Sequence, residues 1–233
     1  VGPLFALRHV PPLVKAGSGL MLAVLLAPVV EVGAPPAELG TFTLGVLNEV
    51  LVGLALGYAA TLVFQAMRVA GQLVDLQTGL AMADLLDPEA AAGITLLGEF
   101  FYLMGLLLLL QADGHHGLLR ALADSFAIIP PGEAVWRGAL AGEMVRLFAG
   151  MFALAFRLAA PVVAVLVVSD IALALIARTV PQLNVFMMGF PLKTGLALGL
   201  LILVLPILAG AFGQVFGLME HDLALLTRHF VGR

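Results

Sequence analysis

Long runs of apolar residues dominate the chain and are separated by short polar stretches. Five of these runs are as long as the roughly 17–25 mainly apolar residues that a helix needs to cross hydrocarbon. They cover residues 13–30, 42–67, 94–111, 144–168 and 192–219. Each run therefore predicts a membrane-spanning helix. A shorter stretch, 118–129, has apolar residues at helical spacing and predicts an interfacial or re-entrant helix.

The segment 68–93 differs from the apolar runs on either side of it. It is apolar in parts, but Pro88 interrupts it and it carries four carboxylates: Asp75, Asp84, Asp87 and Glu89. Carboxylates and unpaired backbone groups are not tolerated against lipid. We therefore expect the segment to line water or to be enclosed by protein. It is either an ordinary connection or a flexible loop that closes a pore with soft apolar side chains.

Pairs of glycines four residues apart occur in the predicted spans. Such pairs allow two helix backbones to approach closely. They are Gly53 with Gly57, Gly195 with Gly199, and Gly213 with Gly217. This pattern favours a tightly packed assembly over an isolated monomer.

Four charged residues fall inside or beside apolar runs, where an unpaired charge is costly. They are Glu49, Glu99, Arg157 and Asp170. Glu49 and Glu99 could form a proton relay, or they could be neutralised by Arg157 or by a basic group of another subunit. We favour the ion pairs.

Composition excludes several functions. The chain is 62% hydrophobic and 11% charged with a net charge of -4, and without a basic cluster nucleic acid is not an expected partner. It has no cysteine, no phosphate-binding loop and no nucleophile elbow around a serine. We therefore predict a chain without enzymatic activity or cofactor.

His115 and His116 follow Asp113 and invite a metal interpretation. Adjacent histidines on a helix are expected to point in different directions, and a third ligand would have to come from elsewhere. We therefore predict solvated histidines and no metal site.

Successive blocks of the sequence resemble the FliR/SctT family of export-gate subunits, in the same order as in that family. The blocks are PPLVKAGSGLMLAVLL (11–26), EVLVGLALG (49–57), VAGQLVDLQTGLAMADLLDP (69–88), DGHHGLLRALADSFAIIP (113–130) and PQLNVFMMGFPLK (181–193). The last block is long enough to make chance agreement implausible. This motif, together with the DGHH and DSF elements, is more similar to flagellar than to virulence-type members.

The resemblance implies an all-α, polytopic membrane protein. Residues 1–140 would form a FliP-like helical part, and residues 141–233 a FliQ-like helical hairpin. The implied partners are homologues of FliP, FliQ, FlhB and FlhA in the bacterial inner membrane, at the flagellar basal body. Unfolded export substrates would pass through the assembled channel. The family also has a further apolar helix ahead of the part matched here.

The resemblance further implies that an internal plug loop at 78–93 closes the channel. The residues assigned to this plug are Thr78, Gly79, Leu80, Met82, Asp84, Leu85, Leu86, Asp87 and Pro88. Asp75 and Asp84 depart from the family pattern, and we expect them to make the plug wetter. The residues assigned to assembly and packing are Gly53, Gly57, Gly195, Gly199, Gln182, Asn184, Gly189, Phe190, Pro191 and Lys193.

Two other function classes are compatible with an apolar helical chain. A secondary transporter could bind a coupling proton or ion at Glu49, Glu99 and Asp84, but such proteins have related halves and no internal repeat is evident. An intramembrane protease would need Ser125 or a pair of aspartates as its catalytic group. A virulence-type SctT subunit is the alternative within the family.

Overall fold

The computed structural model describes residues 10–28, 30, 38–81, 95–136, 138–180 and 184–230, and all regular secondary structure in these ranges is α-helical. The six helices are α1 (Pro12–Leu26), α2 (Leu39–Thr78), α3 (Leu96–Gln111), α4 (Gly114–Ile128), α5 (Gly138–Thr179) and α6 (Val185–Phe230). The all-α prediction is confirmed.

Helix α1 is shorter than the predicted span at 13–30. It begins with Pro12 at its first position, where a missing N–H does no harm, and it ends at Leu26. Ala27 keeps helical φ and ψ, and Pro28 follows it without an N–H to continue the helical hydrogen bonds. With 15 residues the helix is about 22 Å long, too short to cross about 30 Å of hydrocarbon upright. The predicted span at 13–30 is therefore wrong.

Three helices in the described ranges, α2, α5 and α6, are long and apolar enough to cross a membrane. A fourth span results if α3 and α4 are one broken span. The prediction of five separate spans is thus reduced to three or four. Only two residues, Ala112 and Asp113, separate α3 from α4. The predicted helix at 118–129 exists as α4, but it begins at Gly114.

Helix α2 continues past the boundary predicted at residue 67 and ends at Thr78. The part beyond residue 67 includes the buried residues Ala70, Val74, Asp75 and Thr78. The expectation that the polar segment is enclosed by protein is therefore confirmed for its helical first part. Residues 82–94 lie outside the described residues.

The chain divides by its internal contacts into two compact units. Unit 1 comprises residues 1–63, 109–149 and 215–233, and unit 2 comprises residues 64–108 and 150–214. These units differ from the predicted division into a FliP-like part, 1–140, and a FliQ-like part, 141–233. That division concerns likeness to other proteins and stays a prediction. Large buried side chains of unit 1 are Met219, Leu226 and Phe230. Those of unit 2 are Phe64, Met67, Phe101, Tyr102, Leu166 and Phe212.

Close backbone packing in unit 2 occurs at glycines that the sequence pattern did not single out. A Cβ at Gly71 would overlap the Leu97 carbonyl, and one at Gly98 would lie 3.1 Å from the Arg68 carbonyl oxygen. At Gly105 a Cβ would overlap the sulfur of Met67. These glycines bring α2 and α3 together.

Five of the predicted packing glycines have open surroundings within this chain. A Cβ would meet no atom within 4 Å at Gly53, Gly195, Gly199, Gly213 or Gly217. These glycines therefore do not mediate close packing between helices of this chain. Their role at contacts with other subunits stays a prediction.

Helices α5 and α6 are connected by the short stretch 180–184 and contact each other in both units. Arg146 lies 3.5 Å from Asp222 in unit 1. In unit 2, Asp170 forms an ion pair with Lys193. The likeness of residues 141–233 to a FliQ hairpin stays a prediction.

Candidate functional site

The C-terminal end of α2, in unit 2, holds a fully buried carboxylate. Asp75 is 0% exposed, and its Oδ2 accepts hydrogen bonds from the backbone N–H groups of Leu97 at 2.8 Å and Gly98 at 3.2 Å. The first N–H groups of a helix lack partners within the helix, and a carboxylate there also interacts favourably with the helix dipole. Asp75 therefore caps α3 from α2. The expectation that it wets the plug is wrong.

The residues that end α2 donate hydrogen bonds to the backbone carbonyl of Asp75. The Asp75 carbonyl accepts the N–H of Gly79 at 3.1 Å and the hydroxyl of Thr78 at 3.0 Å. Gly79 has a φ of 87°, a left-handed conformation that glycine adopts readily at helix ends. The N–H of Leu80 donates to the Thr78 hydroxyl at 3.3 Å. The predicted plug residues Thr78, Gly79 and Leu80 therefore lie at the C-terminal end of α2.

A polar network joins this end of α2 to α5 and α6. Gln77 Nε2 donates to Asp170 Oδ2 at 2.7 Å, and Asp170 Oδ1 forms an ion pair with Lys193. The Lys193 ammonium also donates to the Gln77 carbonyl at 3.5 Å. The side chains of Lys193 and Asp170 are only 20% and 37% exposed, so each charge needs the other.

Phe190 and Asn184 belong to the same corner of unit 2. A Cβ at Gly79 would lie 3.3 Å from the Phe190 ring, so the ring packs against the end of α2. Asn184 caps α6, because its Oδ1 accepts the N–H of Met187 at 3.3 Å. Gly189 is buried, and a Cβ there would be 3.5 Å from Leu173.

The remaining predicted residues of this region divide into two groups. Pro191 lies inside α6, close to Lys193 in sequence. Outside the described residues lie the plug residues Met82, Asp84, Leu85, Leu86, Asp87 and Pro88 and the assembly residue Gln182.

Of Glu49 and Glu99, only Glu99 forms an ion pair in the described ranges, and its partner is not the predicted Arg157. Glu99 pairs with Arg68 at 2.9 Å, and the Arg68 guanidinium lies 4.1 Å above the Tyr102 ring. Glu49 accepts the N–H of Gly132 at 2.8 Å. Arg157 is exposed and has no ion-pair partner among the described residues. Sequence reasoning did not identify Arg68, although it is a charge between the apolar residues of α2.

In unit 1, the connection after α4 is held against α2 and α6. Asn48 donates from Nδ2 to the Ala134 carbonyl at 3.1 Å and accepts from the Trp136 indole N–H. Trp136 also meets the Phe230 ring edge-on at 5.2 Å. These bonds satisfy polar groups of a non-helical stretch, as a membrane environment requires.

Unit 1 also contains a cavity of about 600 Å³ with mainly apolar walls. Helices α1, α2, α4 and α6 contribute to its lining. The polar residues at its surface are Lys15, Ser18, His115 and Thr227, and Gly53 and Gly57 also line it.

The geometry predicted for His115 and His116 is wrong. Their ring centroids are 4.1 Å apart, so the side chains point in similar directions. Asp113 supplies the third group nearby, because one ligand atom from each of the three residues lies within 4.8 Å of the others.

These observations define the chain as an all-α membrane protein in which several polar side chains pair between helices. In the described ranges, the polar clusters join helices and have no arrangement of a nucleophile with a base. The sequence matches the family described as bacterial export proteins, family 1, over residues 1–219, and the chain belongs to that family.

Individual relatives agree with this family. The flagellar biosynthetic protein FliR of Bacillus subtilis (strain 168) is 37% identical over 232 residues, which cover 96% of this chain and 89% of the relative. FliR of Escherichia coli (strain K12) is 30% identical over 225 residues, covering 93% and 85%. Yop proteins translocation protein T of Yersinia pestis is 32% identical over 197 residues, covering 82% and 74%. The likeness thus covers proteins named as flagellar biosynthetic proteins and one named as a Yop proteins translocation protein.

Proposed function

We propose that this chain is a core subunit of the flagellar type III export gate in the bacterial inner membrane, assembling with homologues of FliP, FliQ, FlhB and FlhA. The observation that carries this proposal is the family match over residues 1–219, together with FliR relatives at 30–37% identity. The chain would be a structural part of the conduit for unfolded substrates. Energy for transport would come from other components.

The surface of α5 supports a role inside an assembly. Only 17% of the most apolar 18-residue window of this helix is buried within the chain. Its exposed large apolar residues include Val145, Phe148, Phe152, Phe156, Val168, Ile171 and Leu175. A surface of this kind must be covered by lipid or by other subunits.

We further propose that the segment 78–93 closes the channel as a plug. The contacts at its two ends support this proposal. Asp75 ties the end of α2 to the start of α3, and the network of Gln77, Asp170 and Lys193 ties it to α5 and α6. A segment held at both ends can change conformation without loosening the helices around it.

Co-purification tests the assembly. The tagged chain, expressed with its FliP and FliQ homologues and extracted in mild detergent, should elute with both at a fixed stoichiometry. A monodisperse single chain would contradict the proposed function. Transport of a small solute by the chain alone in liposomes would instead support a secondary transporter.

Ion leakage tests the plug. Deleting residues 82–93, which leaves the anchoring residues of α2 and α3 intact, should make membranes containing the assembled complex conduct ions. The same deletion should still co-purify with the partners, and this serves as the control for assembly. Unchanged conductance of an assembled complex would refute the plug assignment.

Gly53→Leu tests the assigned packing surface. The position is open in this chain, so the variant should fold but lose partner subunits, because added bulk separates helices at an interface. Yield of the complex on native gels measures this effect. Gly45→Leu, at another open position of α2, is the matched control. Equal complex yield from both variants and the unmodified chain would contradict the assignment of Gly53.

A further inference from the structure

The turn between α3 and α4, in unit 1, brings together three potential metal ligands. Asp113 has a φ of 55° and immediately precedes α4. This left-handed conformation is accessible to aspartate. His115 and His116 occupy the first turn of α4. One ligand atom from each of the three side chains lies within 4.8 Å of the other two.

The spacing of Asp113 and His116 is one that two ligands of a shared cation can have. Asp113 Oδ1 and His116 Nδ1 are 3.5 Å apart, which exceeds the roughly 2.7–3.2 Å of an N–H···O hydrogen bond. Two ligand atoms at about 2.0–2.2 Å from a tetrahedral zinc ion are separated by about 3.3–3.6 Å. The observed separation therefore matches that of two ligands on one ion.

His115 supplies the third ligand and has an unused polar atom. Its Nδ1 is buried and makes no hydrogen bond, although a buried polar atom normally has a partner. The side chain is half-buried, while Asp113 and His116 are exposed. An ion could therefore enter from the exposed side and be held against the protein.

We propose that Asp113, His115 and His116 bind a divalent transition-metal ion, with Zn²⁺ the best match to two imidazoles and one carboxylate. A fourth position is left for water or for a group from another subunit. The ion would neutralise the Asp113 carboxylate and fix the turn from which α4 begins. This inference does not depend on the proposed export function, since all three ligands lie within four consecutive residues.

Zinc titration of the purified chain, or of its complex with partners, tests the site. Isothermal titration with Zn²⁺ at pH 7.5 should show one equivalent bound per chain. Asp113→Asn, His115→Ala and His116→Ala should each weaken binding by tenfold or more. His221→Ala and His229→Ala, which change histidines outside the cluster, should leave the affinity unchanged. Substitution with Co²⁺ should give an absorption spectrum that reports the coordination geometry.

The ligand variants need a check on folding. Asparagine also tolerates the left-handed conformation, so Asp113→Asn should keep the turn and the helix content while losing zinc affinity. Lowering the pH to 5.5 should weaken zinc binding, because neutral imidazole is the ligand. Zinc binding that is absent or substoichiometric in the unmodified chain would overturn the proposal, and so would equally strong binding in a variant that carries all three substitutions. Loss of zinc affinity in the two control variants would do the same.

Discussion

The cap that Asp75 provides to α3 leads to a local and measurable prediction. Asp75→Ala removes a carboxylate that accepts two backbone N–H groups, those of Leu97 and Gly98. Both hydrogen bonds are buried, so the variant leaves two donors without their acceptor and without water. Losing a helix cap costs about 0.5–2 kcal/mol, and hydrogen bonds to a charged group contribute about 1.5–3 kcal/mol each.

Since these two contributions overlap, we expect Asp75→Ala to destabilise the start of α3 by about 2–4 kcal/mol. Asp75→Asn retains an acceptor oxygen but not the charge, and it should cost about half as much. At 1.4 kcal/mol per factor of ten, the alanine variant should speed amide exchange at Leu97 and Gly98 by roughly 30-fold to several hundredfold.

Hydrogen–deuterium exchange followed by mass spectrometry of peptides covering residues 95–100 measures this effect in detergent. Asp124→Ala, at an exposed position of α4, is the control and should leave those peptides unchanged. Exchange at Leu97 and Gly98 that is the same in Asp75→Ala as in the unmodified chain would refute the cap. An increase spread evenly over all helices would show general unfolding instead.

Two further predictions concern the packing of α2 on α3. Gly71→Ala should lower the melting temperature, because its Cβ overlaps the Leu97 carbonyl and overpacking costs about 1–3 kcal/mol; Gly45→Ala, in open surroundings of the same helix, should leave stability unchanged or raise it. A double-mutant cycle of Arg68→Met and Glu99→Gln should give a coupling of about 0.5–1 kcal/mol by thermal unfolding, since the pair is about a quarter to a third exposed. Equal melting of the two glycine variants, or strict additivity in the cycle, would contradict these contacts.

The apolar pattern predicted most of the fold because helix formation in a membrane follows local composition. The runs at 42–67, 144–168 and 192–219 lie within α2, α5 and α6. The pattern failed where the apolar residues continue beyond the end of the helix. At 13–30 the helix ends at Leu26, two residues before Pro28, which has no N–H to continue the helical hydrogen bonds.

The polar contacts could not be predicted because their partners are far apart in sequence. Gln77 and Asp170 are 93 residues apart, and Arg68 and Glu99 are 31 residues apart. Sequence reasoning expected Glu49 and Glu99 to be neutralised by basic groups. In the described ranges Glu99 has such a partner, Arg68, whereas Glu49 accepts a backbone N–H. For the packing glycines a signal was available, since Gly98 and Gly105 are seven residues apart on one face of α3.

The lengths of α2, α5 and α6 have a consequence for how the subunit is placed in the cell envelope. With 40, 42 and 46 residues and a rise of 1.5 Å each, they measure about 60–70 Å along their axes. Hydrocarbon is only about 30 Å thick. A helix that stands upright in the bilayer can therefore place no more than about half of its length in hydrocarbon. Neighbouring polypeptides must cover the apolar residues of the rest.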